Sequence, residues 1–145
     1  MLDIRTPVIK VVIRDFQVAD TYLNPTVAGY FVAGQWWQLD PVNDGHVIPI
    51  ANETPALAFP VWSKRGEPST QALGRVSVIY AGEFEADTDQ FNTNVNYTVG
   101  QRLTVANGVL TPLVVGNYCH GITVRTPANN NNKLRFFRLV GAAQS

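Results

Sequence analysis

Tyr97-Thr98-Val99-Gly100-Gln101-Arg102-Leu103-Thr104-Val105-Ala106-Asn107-Gly108-Val109-Leu110-Thr111-Pro112 reads as two β-strands hinged on a two-residue turn. Asn107-Gly108 supplies the positive φ angles that a tight hairpin turn demands. β-branched and apolar residues on either side suit a pleated, half-buried surface. Downstream, Gly116-Asn117 offers a further turn, and Tyr118 to Val124 reads as a strand with Gly121 at a bulge. Asn129 to Asn132 forms a polar loop, and Lys133 to Val140 closes the sheet.

Upstream the same grammar recurs. Val8 to Arg14 is strongly β-forming, with two cations for its more exposed face, and Leu2 to Pro7 precedes it as an arm. Gly29 to Leu39 is a candidate hairpin pivoting near Gly34, and Asp44-Gly45 marks the next turn. His46 to Ile50 is a short strand. Pro49, Pro55 and Pro60 cannot donate to a ladder, which assigns that stretch to an edge or a loop. Ala56 to Trp62 is an apolar run, and Lys64 to Ser69 an exposed turn. Arg75 to Tyr80 and Glu83 to Asp87 alternate as strands, whereas Phe91 to Tyr97, rich in Asn and Thr, loops. Gly and Pro recur too often for a long helix. Short strands between turns are the mark of a sandwich or barrel. With no repeat and no linker, residues 1–145 are expected to form a single antiparallel all-β domain.

A chain of 145 residues buries roughly 70% of its unfolded surface, enough for a real core. Its charged fraction is 15%, against about 25% in ordinary domains. Polarity comes instead from Asn, Gln, Thr and Ser, which suits either extended contact with a partner or a β protein with many polar turns. The formal net charge of zero argues against nucleic acid as the main partner, since such binders carry excess Lys and Arg. Cys119 is the only cysteine, so no internal disulfide forms. The N-terminus lacks the pattern of a secretory signal, and no apolar run is long enough to span a membrane.

Candidates for chemistry are few. Cys119 and His120 are adjacent, point to opposite faces of a strand and are poor co-ligands. A Cys119 nucleophile with His46 as base is the one nucleophilic arrangement available, against the plainer reading of a strand cysteine beside an incidental histidine. Glu83, Glu85, Asp87 and Asp89 alternate, so an extended backbone puts four carboxylates on one face. That strip reads as a calcium site, a docking strip for a basic partner, or a solvated edge strand. Arg125, Lys133, Arg135 and Arg138 form the opposite pole, available for pairing within the chain or between copies. Trp36-Trp37, with Tyr30 and Phe31, is the densest aromatic cluster. Successive strand residues face opposite ways, so one indole is expected in the core and its neighbour outside, where Trp is a favoured interface anchor. No phosphate loop, no Gly-x-Ser-x-Gly and no metal-ligand spacing is present, so no cofactor and no enzyme activity are expected.

The segment Tyr97 to Pro112, with Val115-Gly116 and Gly121-Ile122-Thr123-Val124, resembles capsid decoration (head cement) proteins of tailed bacteriophages over about 45 residues. The carrying pattern is Val-Gly, Leu-Thr-Val, a short Gly turn and Leu-x-Pro, then a Gly-Ile strand and a final apolar strand. The resemblance implies a small β-barrel or β-tulip with an extended N-terminal arm, bound to the outside of the virion shell after assembly in the host cytoplasm. The implied partners are the major capsid protein and further copies of the chain, as homotrimer or homodimer. Leu2, Ile4 and Val8 would then join a neighbour's sheet by strand addition, and Trp36 or Trp37 would anchor the contact. The alternative from another class is a carbohydrate- or receptor-binding module of a tail or head fibre, served by exposed aromatics and Asn-rich loops.

Overall fold

The computed structural model describes residues 2–5, 11–18, 33–50, 57–61 and 75–139. Within them run β1 (Leu2–Ile4), β2 (Val12–Gln17), β3 (Trp36–Leu39), β4 (Val47–Pro49), β5 (Ala58–Pro60), β6 (Arg75–Ala81), β7 (Glu85–Thr88), β8 (Arg102–Ala106), β9 (Val109–Pro112), β10 (Gly121–Arg125) and β11 (Leu134–Phe137). One turn of 3-10 helix, Pro127–Asn129, separates β10 from β11. Among the described residues no helix is long and apolar enough to cross a membrane. The all-β expectation holds.

Every ladder is antiparallel. A six-stranded sheet has the order β1-β7-β11-β10-β8-β9, a second sheet pairs β2 with β6, and a third has the order β4-β3-β5. The two smaller sheets touch through single bridges, Val61 with Val78 and Gln17 with His46. Among the described residues those seams carry no continuous ladder, so of the two expected architectures, barrel or sandwich, the sandwich-like one fits. The proline argument holds where it can be seen: Pro49 and Pro60 sit on β4 and β5, the outer strands of the three-stranded sheet.

Two cores result. The first lies between the six-stranded sheet and the inner faces of the smaller ones, and joins Leu103, Leu110, Leu134 and Phe136 to Trp36 and Ile79. The second lies wholly within the smaller sheets and joins Phe16, Trp37, Val47, Phe59, Val76 and Val78. Successive strand side chains point to opposite faces. Trp36 therefore enters the first core and Trp37 the second, where it lies opposite Phe59 in the ladder.

The Asn107-Gly108 hairpin forms as expected between β8 and β9, with φ of 52° and 78° at the two turn residues. Its tip is also a fastener. The Trp36 amide donates to the Gly108 carbonyl at 2.8 Å, which ties the six-stranded sheet to β3. The bulge expected at Gly121 lies further along β10, between Thr123 and Arg125. Gly121 is required for another reason: a Cβ there would sit 2.9 Å from the Phe137 carbonyl oxygen.

Candidate functional site

The described arm residues, Leu2 to Arg5, do not reach outward. β1 adds to this chain's own sheet, with Leu2 opposite Thr88 and Ile4 opposite Ala86. Both side chains are half-buried and pack against the first core. The Arg5 amide continues the pairing onto the Glu85 carbonyl at 2.7 Å. Strand addition thus occurs, but within the chain; Val8 lies outside the described residues. Trp36 and Trp37 are both fully buried. The expectation that one of them faces out is corrected by the second core, which sequence periodicity does not announce. Neither indole offers surface to a partner.

The acidic strip is resolved into separate roles. The strand β7 covers only Glu85 to Thr88 and lies between β1 and β11, so it is not an edge. Asp87 is buried. Its Oδ1 accepts from Arg135 Nε and Asn130 Nδ2, both at 2.8 Å. Its Oδ2 accepts from Arg135 Nη2 at 3.1 Å and from Arg5 Nε at 3.0 Å. The Arg135 bonds, helped by Asn130 and Arg5, hold the Asp87 carboxyl well below the usual carboxylate range against the opposing pull of burial. Arginine and amide donors fill the place that a cation or a basic partner would take. Arg138, also of the basic pole, is buried too. Its Nη1 donates to the Gly82 carbonyl at 3.3 Å, its guanidinium lies 5.9 Å from the Phe84 ring centre, and burial lowers its pKa to about 10.

Cys119 and the histidines are committed to different partners. Cys119 is buried, with its thiol donating to the Gly121 carbonyl at 3.5 Å. His120 is buried, and its Nε2 accepts the Ala58 amide proton at 3.0 Å, while the ring stands edge-on to Trp36. Burial, with the nearby Arg138 charge, pulls its pKa down to about 4. His46 sits in the β3–β4 turn, its Nδ1 3.0 Å from the Asp44 carbonyl oxygen. Among the described residues, no group of three or more His, Cys, Asp or Glu is placed to hold a metal ion.

Some of the exposed apolar surface lies at one end of the six-stranded sheet, apart from Val12, Leu39, Val42 and Leu139, which are exposed elsewhere. The pairings of Thr88 with Leu134, of Arg125 with Arg135 and of Arg102 with Ile122 put the end of β7 and β10 and the start of β8 and β11 at that end. Val99 precedes β8 there, and Val114 and Val115 leave β9 beside it, with 65%, 42% and 75% of their surface exposed. Next to them, the loop after β7 and the loop after β10 enclose a cleft of about 510 Å3. Its wall includes Phe91 and Tyr97, whose rings meet edge to face at 5.7 Å and pack against the first core. The Tyr97 hydroxyl donates to the Asn92 carbonyl at 2.8 Å, and burial pushes its pKa up to about 12. Across the cleft stand Thr126, Pro127 and Asn132, the last at a left-handed φ of 61°. Sequence reading recognised both segments as polar loops, and tied Asn-rich loops to carbohydrate binding only in its alternative reading, without bringing these two together. The available signal was the pair of aromatics bracketing an Asn/Thr run, but nothing in one chain aligns that run with Asn129–Asn132.

No protein-family model, curated protein or solved structure matches the chain.

Proposed function

We propose that this chain is a structural virion protein that binds the outer surface of a tailed-phage capsid between coat subunits and stabilises the shell. One observation carries the reading: the exposed valines Val99, Val114 and Val115 lie together at the loop end of the six-stranded sheet, on a chain with only 15% charged residues. Apolar side chains in a charge-poor setting lose little hydration energy when covered by protein, and burial of apolar area supplies the affinity. The resemblance of Tyr97 to Val124 to decoration proteins points to the same partner, the major capsid protein, with the chain acting as a homotrimer or homodimer.

No bond is made or broken in this mechanism. A domain that binds only the assembled lattice stabilises it by its own binding free energy, repeated at every site. The test is copy number in the purified native particle, by quantitative mass spectrometry of heads and tails. On the order of hundreds of copies on the head is the expected result, because lattice stabilisation accumulates over all sites. Confinement to the tail, at a copy number typical of a fibre or connector, overturns the proposal.

A further inference from the structure

We propose that the cleft between the loop after β7 and the loop after β10 is a binding site for an uncharged carbohydrate, independent of the valine surface beside it.

Its volume of about 510 Å3 falls within the range of roughly 300–1,000 Å3 typical of small-molecule sites. Among the described residues, no charged side chain lines it. A phosphate, a nucleotide or a carboxylated ligand would lose hydration there with no counter-charge in return. A purely apolar ligand fits no better, since it would cover Thr93, Asn96, Thr126 and Asn132 without satisfying them. The lining is instead two-sided: Phe91, Val95, Tyr97 and Pro127 present rings and methyl groups, and the four Thr and Asn residues present hydroxyls and amides. A pyranoside has the matching halves, a face of C–H groups for the rings and a rim of hydroxyls for the amides. An amide both donates and accepts, so Asn suits the mixed hydrogen bonding of a sugar hydroxyl.

The polar groups are available and the apolar ones are held still. Among the described residues the side chains of Thr93, Asn96 and Asn132 make no hydrogen bond. The Thr126 hydroxyl oxygen accepts from Asn129 Nδ2 at 3.3 Å and keeps its own proton to give. Phe91 and Tyr97 are fixed by the core behind them and by the Tyr97 hydroxyl bond to Asn92. The opposite loop is fixed by two amide donors, those of Asn130 and Asn132, converging on the Pro127 carbonyl at 3.2 and 2.9 Å. A site whose walls are preformed in this way binds at a reduced ordering cost.

The test is saturation-transfer NMR on the full chain with the methyl glycosides of glucose, galactose, mannose and N-acetylglucosamine, with glucose 6-phosphate and N-acetylneuraminic acid as charged controls. The expected result is saturable, millimolar binding of at least one neutral glycoside, about tenfold weaker or lost in Asn96→Ala and in Ala128→Trp, which fills the cleft. Both positions are exposed, so thermal unfolding checks that the fold is retained. Failure of all four neutral glycosides to saturate, equal binding of the charged controls, or binding insensitive to both variants overturns the proposal. Co-sedimentation of the same variants with capsids reads the lattice contact separately, and that contact should be unchanged.

Discussion

Asp87 of β7 and Arg135 of β11 lie opposite each other in the sheet and share two hydrogen bonds, 2.8 Å to Oδ1 and 3.1 Å to Oδ2. This fork-to-fork geometry, completed by Arg5 and Asn130, makes the buried carboxylate a staple across β1, β7 and β11.

Asp87→Asn keeps the shape and removes the charge, and should lower stability by roughly 2–4 kcal/mol, since it leaves Arg135 unpaired. The folded pKa of Asp87 is depressed below its ordinary 3.8. Its stabilisation is therefore complete above that value and is lost as pH falls through and below it. Urea unfolding should show the wild type and Asp87→Asn far apart at pH 7 and converging below pH 3.8.

His120 acts in a higher window. Its folded pKa is about 4, against an ordinary 6.5. The unfolded chain binds the extra proton between those values, so stability falls as pH drops from 6.5 toward 4 and levels off below. The full loss is roughly 3 kcal/mol. In His120→Gln, which keeps an acceptor for the Ala58 amide, the slope in that window should vanish from the unfolding midpoint plotted against pH.

Trp36→Ala and Trp37→Ala should each cost about 3–5 kcal/mol, as expected for large buried aromatics. A spectroscopic check separates burial from mere packing cost. In a Trp62→Phe background, emission from the two remaining indoles should be blue-shifted and barely quenched by acrylamide.

Val115→Asp places a charge on the exposed valine surface. Stability should change by no more than about 0.5 kcal/mol. Capsid co-sedimentation should weaken at least tenfold, a loss of about 1.4 kcal/mol. Unchanged affinity would place the contact elsewhere.

Gly121→Ala drives a methyl group to 2.9 Å from the Phe137 carbonyl oxygen. β10 and β11 must then separate, at a cost of about 1–3 kcal/mol in chemical denaturation.

Local grammar made most strands legible. Asn107-Gly108, Asp44-Gly45 and the alternation of Arg75 to Tyr80 depend on neighbours in sequence, and they appear where expected. What depends on layers was hidden. Alternation correctly sent Trp36 and Trp37 to opposite sides, but a second core on the far side of β3 cannot be read from a period of two. The Glu83–Asp89 strip read as a calcium site, a docking strip or a solvated edge because Arg5 and Arg135, the partners of Asp87, lie 82 and 48 residues away in sequence. The cleft was hidden for the same reason, its two walls being separate loops.

β3 is a party wall. One indole is plastered into each of the rooms it divides, and the Gly108 carbonyl pins it from the side. Neither room can be emptied while the other stands, so the described strands should come apart in one concerted step, with no half-dismantled form to linger.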